Sequence, residues 1–318
     1  MRFAVNKIAE KYVLADSFTG CTADVVPAWG GILNAFSIMH HGKACNVISG
    51  YDNDDDFRLH VTSKGFRGSK LLPFVCRINK AQYNWQGKLH TLSKFLLNGS
   101  ALHGLVYDAA FDVAAVHAGD EGAMVALKYK YDKMNEGYPF PFSCSVEYSL
   151  LPDNKISITT TVHNNSDIAI PVTDGWHPYF GFGGTINSFL LQIKSGKMAE
   201  YNKDLIPTGN YLPETSFNTP GLIGDKHLDD CFVLDFTQEQ PLCSLLDKPK
   251  GLQLNIYPDK TYPYLQVYTP ADRQSIAIEN LSGLPDAFNN GIGLTVLLPG
   301  EEKNYITCFE AVSVAPLT

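Results

Sequence analysis

A chain of 318 residues with 45% hydrophobic and 18% charged residues can bury a large core without a disulfide or a metal. Its net charge of −8, with no long basic run, argues against nucleic acid as a partner. The seven cysteines are scattered, with no Cys-x-x-Cys pair, which indicates reduced thiols rather than a disulfide framework or a zinc site.

The amino-terminal segment, residues 1–18, carries charges throughout and has no long apolar stretch, so it does not resemble a secretory signal. No run of about 18 apolar residues is present, so no membrane span is expected. We therefore expect a cytoplasmic protein. No linker, low-complexity tract or repeat divides the chain, so residues 1–318 are predicted to form one domain. The sequence leaves the oligomeric state open.

The first predicted element in chain order is a hairpin, in which Gly87-Lys88 separates Tyr83–Trp85 from Leu89–Leu92. Alternation of apolar and polar residues then predicts further strands, bounded by Gly, Pro, Asn and Asp. These strands are Met124–Tyr131, Cys144–Leu150, Lys155–Val162, Tyr264–Tyr268 and Gly293–Leu298. Helical periodicity is scarce, and strands do not alternate with helices. The pattern therefore predicts an all-β chain built as a sandwich or a barrel.

Several familiar catalytic motifs are missing from the sequence. There is no phosphate-binding Gly-x-x-x-x-Gly-Lys-Ser/Thr loop, no Gly-x-Ser-x-Gly nucleophile elbow and no His-Glu-x-x-His zinc motif. Gly181–Gly184 lacks the third spaced glycine of a dinucleotide fingerprint. The acidic run Asp52–Asp56 lacks the glycine and the later glutamate of a calcium loop, so we expect a solvated loop there. We expect neither a metal ion nor an organic cofactor.

Five polar residues stand in settings that favour chemistry: His103, His177, His227, Asp229 and Glu279. The two carboxylates adjoin or interrupt apolar segments, where an acid is costly to bury unless it is paired or functional. Each residue alone has a plain structural explanation. A lone histidine is more often a hydrogen-bonded core residue than a catalyst, and Glu279 alone fits a salt bridge at a strand edge. The set as a whole favours a catalytic site.

Six short motifs, in order along nearly the whole chain, resemble those of the galactose mutarotase-like aldose 1-epimerases. They are Gly30-Gly31, Gly68–Phe74 with Arg77-Ile78, Leu102–Gly104, His177–Phe180, Leu228–Phe232, and the final set Ile278-Glu279, Pro285–Asn289 and Leu298–Glu301. The resemblance implies a single galactose mutarotase-like domain. It also implies a large antiparallel β-sandwich with a sugar cleft on the concave face of one sheet.

Two segments depart from the pattern of that family. His103 is followed by Gly104-Leu105 rather than by two glycines, and Phe180 is followed by the glycine-rich segment Gly181–Gly184. These departures leave the predicted chemistry in place but leave the identity of the substrate open.

The resemblance implies an aldose 1-epimerase (mutarotase), an isomerase that interconverts the α and β anomers of a free hexose such as galactose or glucose. Ring opening needs one group that removes the proton of the C1 hydroxyl and a second that protonates the ring oxygen. By the resemblance, Glu279 is the base and His177 is the acid. His103 would hydrogen-bond near the ring oxygen and steady the developing charge.

Further residues are predicted to hold the sugar. Asp229 or Asp230 would accept a hydrogen bond from a ring hydroxyl, and the spacing to the next aromatic residue favours Asp229. Arg77 would be a donor over the site, and its charge would help to keep Glu279 ionised. Tyr179 is assigned to sugar contact. Three aromatic residues flank the motifs, and for each of them core packing is as good an explanation as stacking on the sugar. They are Trp176, Tyr179 and Phe288.

Three alternatives stay open at the level of sequence. A hexose-6-phosphate 1-epimerase would use the same acid–base pair with added cations, for which Arg67, Lys70 and Arg77 are candidates. A non-catalytic sugar-binding module would need no such pair. A glycosidase or lyase on a similar sandwich would use Asp229 and Glu279 as paired carboxylates.

Overall fold

Antiparallel strands dominate the computed structural model, which describes residues 1–132 and 136–314. Strands β1–β10 are Phe3–Ile8, Lys11–Asp16, Thr22–Val26, Ile32–His40, Lys43–Asn46, Ser69–Leu71, Arg77–Ile78, Gln82–Trp85, Lys88–Thr91 and Leu96–Leu97. Strands β11–β20 are Ser100–Leu102, Asp112–Ala118, Ala123–Tyr131, Phe142–Leu151, Lys155–Asn164, Ile170–Val172, Gly175–His177, Tyr179–Phe180, Phe189–Ile193 and Ser195–Tyr201. Strands β21–β29 are Pro207–Pro213, Gly221–Leu222, Asp229–Leu234, Cys243–Asp247, Leu252–Pro258, Tyr264–Tyr268, Ile276–Leu281, Thr295–Leu297 and Glu302–Ser313.

Helical structure among the described residues is slight. It consists of α1 (Asp54–His60), α2 (Ala287–Asn290) and two single 3₁₀ turns at Asn79–Ala81 and Ile186–Ser188. None of these helices is long and apolar enough to cross a bilayer. The all-β prediction is confirmed.

Three large sheets carry most of the strands. The first has the order β1-β2-β3-β4-β5, and the second has the order β12-β13-β14-β15-β29-β25-β24-β19-β22. The third has the order β21-β20-β23-β26-β27-β17-β6, with β18 also paired to β27. Smaller sheets join β10-β11-β7, β16-β28 and β8-β9. Neighbouring strands pair antiparallel throughout the described ladders, as the sandwich prediction requires.

The second and third sheets pack face to face around a shared apolar core. Aromatic pairs span the interface: the Phe180 and Phe309 rings lie 5.3 Å apart, and the Tyr148 and Trp176 rings lie 6.0 Å apart. Such edge-on contacts between large buried rings contribute about 0.5–1.5 kcal/mol each beyond the area they bury. The packing confirms the predicted β-sandwich. The division into domains stays a prediction.

The predicted strands agree with the observed ones except for the last, near the carboxyl end of the chain. Four of them lie within β13, β14, β15 and β26. The observed strand in the predicted range Gly293–Leu298 is shorter than predicted, because only Thr295–Leu297 pairs with a neighbouring strand. The hairpin is confirmed, but its turn is Gln86-Gly87, with Trp85 opposite Lys88. Both turn residues have positive φ, which matches the twist of a tight hairpin.

The acidic run at residues 52–56 was predicted as a solvated loop, and that prediction is wrong for most of it. Asn53 caps α1 by accepting a hydrogen bond from the backbone N–H of Asp56, so Asp54–Asp56 form the first turn. Carboxylates are favoured there because they face the positive end of the helix dipole. The helix is short and buries just Phe57, so it leaves no apolar periodicity in the sequence.

Candidate active site

Two adjacent strands of the third sheet carry His177 and Glu279. Strands β17 and β27 pair antiparallel with Gly175 opposite Leu281. Continuing this register by two residues sets His177 opposite Glu279, and the next bridge, Tyr179 opposite Ala277, keeps the same register. Because side chains directly opposite each other project from the same face of a sheet, the ladder itself brings the two side chains together.

The His177–Glu279 contact is close and shielded from solvent. The Nε2 atom of His177 lies 3.3 Å from Oε1 of Glu279, and both side chains are almost fully buried. Burial, reinforced by the nearby Asp229, raises the pKa of the Glu279 carboxyl well above its usual value. Burial lowers the pKa of His177 to about 4. Both shifts disfavour charge, so the pair holds one proton at pH values between the pKa of about 4 for His177 and the raised pKa of Glu279.

His103 completes a cluster of rings at the floor of the site. It follows β11 with a φ of 60°, and its backbone N–H donates to the carbonyl of Cys76. Its ring meets that of His177 edge-on at 5.0 Å and lies 4.6 Å from that of Phe66. Burial lowers the pKa of His103 well below the usual value, and the charges of His177 and Arg77 act in the same direction. His103 is therefore a neutral imidazole near neutral pH.

Asp229 reaches the site from the start of β23. Its Oδ1 atom accepts a hydrogen bond of 2.7 Å from the Gln266 amide, whose own oxygen accepts from the Tyr201 hydroxyl at 3.1 Å. This chain fixes the amide with its N–H groups toward the carboxylate. Burial raises the pKa of Asp229, and the charge of Arg77 opposes that shift. Gln266 lies opposite Glu279 across β26 and β27, so the Asp229 carboxylate is linked through Gln266 to the strand that carries Glu279.

Arg77 and Tyr179 form parts of the wall. Arg77 is partly exposed, and its Nη1 atom lies 3.5 Å from the carbonyl oxygen of Asp204, in the turn between β20 and β21. The Tyr179 ring stacks on that of His177 at 5.2 Å with planes 5° apart, and the Arg67 guanidinium lies 5.5 Å from the Tyr179 ring centre. Stacking of this kind restricts the tilt of the imidazole.

These residues surround one cleft of about 350 Å³. All six residues predicted from the sequence for the site line it: Arg77, His103, His177, Tyr179, Asp229 and Glu279. The remaining lining residues are Thr62, Gly65, Phe66, Cys76, Phe95, Leu97, Leu102, Tyr201, Leu205, Gln266, Tyr268 and Pro285. The floor is therefore polar and titratable, whereas Phe95, Leu97, Leu205 and Pro285 make part of the wall apolar.

Other candidates from the sequence lie elsewhere. His227 is exposed, and Asp230 and Trp176 are not among the residues that line the cleft. Phe288 packs in the core against Phe74 and Tyr83. Lys70, a candidate phosphate-binding cation, is fully buried beside Asp174.

Gln266 and Tyr201 line the cleft and were missed by the sequence reasoning. Gln266 stands in the middle of the predicted strand Tyr264–Tyr268, and it is 5% exposed. A polar amide inside an apolar strand needs buried partners, and that was the available signal. Tyr201 gave no such signal, because tyrosine is common in any strand. Within residues 1–132 and 136–314, no group of three or more His, Cys, Asp and Glu side chains is placed to hold a metal ion.

Comparison with known proteins places this site in a family context. An aldose 1-epimerase from Escherichia coli is 24% identical over 90% of each chain. A maltose epimerase from Levilactobacillus brevis is 22% identical over 92% of this chain and 91% of its own. The fold matches that of a galactose mutarotase-like protein from Clostridium acetobutylicum, with a TM-score of 0.83 and 17% identity over 98% of both chains. Because the sequence profile described as aldose 1-epimerase matches residues 10–310, this chain belongs to the aldose 1-epimerase family.

Proposed function

We propose that this enzyme is a mutarotase that interconverts the α and β anomers of a free hexose, galactose or glucose. The observation that carries the proposal is the buried contact of 3.3 Å between His177 and Glu279 at the floor of the cleft. Mutarotation needs one proton donor and one proton acceptor on either side of the C1–O5 bond, and this pair holds one proton between two sites.

The reaction follows from the position of that proton. With the proton on His177, Glu279 is the carboxylate that removes the proton of the C1 hydroxyl, while the imidazolium protonates the ring oxygen O5. The C1–O5 bond breaks and C1 becomes an aldehyde. Rotation about C1–C2 presents the other face, and closure returns one proton to His177 and the other to the C1 oxygen. The pair ends each turnover in its starting state, so no cofactor is consumed.

The other predicted residues serve binding and charge in this proposal. Neutral His103 accepts or donates a hydrogen bond near O5, where charge develops. Asp229, held by Gln266, accepts from a ring hydroxyl and orients the sugar. Arg77 donates from the rim. Tyr179 both borders the sugar and holds the plane of the His177 ring.

A sugar phosphate is disfavoured as the substrate. The phosphate would need several cations at the rim. Lys70 is fully buried and paired with Asp174, and Arg67 lies 3.8 Å from the Asp272 carboxylate, so Arg77 is the one candidate of the three that lines the cleft. A non-catalytic binding module is also disfavoured, because a buried acid–base pair is costly and binding alone does not need it. The names of the relatives include both a maltose and a general aldose epimerase, so the panel of test sugars should hold galactose, glucose and maltose.

Polarimetry on freshly dissolved α-anomers tests the proposal directly. We expect the wild-type enzyme to accelerate the approach to equilibrium, and Glu279→Gln and His177→Asn each to lower kcat by about 10²–10⁴-fold, because each removes one proton-transfer partner. The matched control is His227→Asn, which changes an exposed histidine that does not line the cleft and should leave kcat within twofold. Retention of more than half of the wild-type turnover by Glu279→Gln would contradict its role as base.

A further inference from the structure

A fully buried ion pair lies beside the strands that carry the acid–base pair, and it takes no part in the cleft. The Nζ atom of Lys70 on β6 lies 2.6 Å from Oδ1 of Asp174, and neither side chain is exposed. The same ammonium donates to the carbonyl of Gly175 at 3.2 Å and lies 4.3 Å from the Trp176 ring centre. The Tyr262 hydroxyl donates to the same carboxylate oxygen at 2.6 Å.

A buried ion pair of this kind is weak evidence for a role in stability. Burial raises the pKa of Asp174 and lowers that of Lys70, so each partner resists being charged where it stands. Apolar residues of similar volume often give equal or greater stability in place of a buried ion pair. A buried pair is better at specifying one arrangement of its neighbours, because a displaced partner leaves a charge without compensation.

The arrangement that the pair specifies is the junction of β6, β17 and β27. Lys70 lies opposite Trp176 in the ladder between β6 and β17. Asp174 exchanges hydrogen bonds with Ser282, directly after β27: its N–H donates to the Ser282 hydroxyl at 2.8 Å, and the Ser282 N–H donates to its carbonyl at 2.8 Å. These bonds fix the register at one end of the β17–β27 ladder, the ladder that sets His177 opposite Glu279. A slip of one residue in that register would turn the side chains of one strand to the opposite face of the sheet.

We propose that Lys70 and Asp174 are positioning residues, which hold β17 and β27 in the register that brings His177 within reach of Glu279. The role in turnover rests on the mutarotase function proposed above, whereas the effect on geometry does not. Neither residue touches the sugar. Their contribution is to keep the two proton-transfer groups at a productive separation, to which catalysis is sensitive on a scale of about 1 Å.

The test neutralises the pair and keeps the bond from Tyr262, although Lys70→Met also removes the bond to the Gly175 carbonyl. In the double variant Lys70→Met/Asp174→Asn, the amide oxygen still accepts from Tyr262, and no isolated charge is left in the core. We expect kcat to fall by about 10–100-fold and KM to change by less than threefold, because the misplacement affects proton transfer more than sugar binding. Thermal unfolding should still be a single cooperative transition.

A readout independent of turnover separates this proposal from the proposed function. The imidazole NMR signals of His177, assigned with the His177→Asn variant, report its contact with Glu279 in the absence of any sugar. We expect them to shift in the double variant. A wild-type protein inactive on every sugar, with His177 signals that still shift, would overturn the mutarotase proposal and support the positioning role.

The matched control is a second ion pair with a buried partner, remote from the cleft. The Nη2 atom of Arg2 lies 2.7 Å from Oδ2 of Asp16 in the first sheet, and the Asp16 side chain is fully buried. Arg2→Met/Asp16→Asn should lower stability but leave kcat within twofold and the His177 signals unmoved. Should Lys70→Met/Asp174→Asn fail to fold, Tyr262→Phe removes one bond to Asp174 without changing charge, and we expect a fall in kcat of about threefold.

Two results would overturn the positioning role. One is a folded double variant, or a folded Tyr262→Phe variant, with wild-type kcat and unmoved His177 signals. The other is a loss of activity that matches the unfolded fraction of the protein, as in the Arg2→Met/Asp16→Asn control, because the pair would then support the fold alone.

Discussion

At the scale of single residues, the decisive feature is that His177 and Glu279 share one proton. The burial that shifts both pKa values away from the charged forms also removes competing water from between them. An exposed histidine and glutamate would each be charged near pH 6 and would gain little from their contact. The site therefore depends on burial as much as on the identity of the two side chains.

The pH dependence of kcat/KM follows from this shared proton. Below the pKa of about 4 for His177 the pair takes up a second proton and loses its base, so activity falls as the pH drops through that value. Above the raised pKa of Glu279 the pair loses its proton and its acid, so activity falls again. We expect a bell-shaped profile by polarimetry from pH 3 to 10.

A variant checks the alkaline limb of that profile. The charge of Asp229 adds to the effect of burial in raising the pKa of Glu279. Asp229→Asn should therefore move the alkaline limb to lower pH. An unmoved or upward-shifted limb would contradict the assignment of that limb to Glu279.

Sequence reasoning found the cleft residues that stand in motifs better than those within ordinary strands, such as Gln266 and Tyr201. The proposed acid, the proposed base and their neighbours stand in motifs with unusual polar residues, so all six of these lining residues could be named. Lys70 stood in the same kind of motif and was a candidate phosphate ligand, yet it is buried. The sequence alone does not reveal which face of a strand meets the cleft, because that depends on pairing with strands far away along the chain.

At the scale of elements, the alternation of side chains along β23 separates two adjacent acids. Asp229 lines the cleft and accepts from Gln266, whereas Asp230 projects from the opposite face of the strand. Asp229→Asn should raise KM for the preferred sugar by about tenfold, because it weakens a charge-assisted hydrogen bond.

Asp230→Asn is the internal control for that variant, since it makes the same chemical change one residue away. It should leave KM within twofold in the same initial-rate measurements. Equal effects of the two substitutions on KM would show that the charge of the segment matters rather than the contact made by Asp229.

The elements themselves were predictable where apolar and polar residues alternate, even over the five residues of β26. β15 alternates buried and half-buried residues over its whole length, and the prediction of a strand there is confirmed. The short helix α1 was missed, because seven residues with one buried side chain carry no period. The hairpin turn was predicted at Gly87-Lys88, one residue too late. Gln86 takes a positive φ, which glutamine rarely adopts, so nothing in the sequence indicated that it belongs to the turn.

At the scale of the whole molecule, the sandwich shields most of its thiols. Cys21, Cys76, Cys144, Cys231 and Cys243 are buried, whereas Cys45 and Cys308 are partly exposed, and none of these is in a disulfide. Burial raises the pKa of the buried thiols, and it raises that of Cys308 to about 11. Because the thiolate is the reactive form, the folded protein should expose at most two reactive thiols.

Titration with Ellman's reagent measures this protection. We expect one or two thiols to react in the native protein, with Cys45 first, and all seven to react after unfolding in guanidinium. A Cys45→Ser variant should remove the fastest phase. Rapid reaction of four or more thiols under native conditions would contradict the packing of the two sheets.

Some residues of the cleft belong to paired strands and others to turns. This difference affects how the sequences of such enzymes change in evolution. His177 and Glu279, the proposed proton-transfer residues, belong to paired strands, whereas part of the rim comes from turns such as that of Leu205, which joins β20 to β21. Turns accept insertions and substitutions far more readily than paired strands. Descendants of one ancestral catalyst can therefore change which sugar they admit by altering rim turns, while the chemistry at the floor is inherited unaltered.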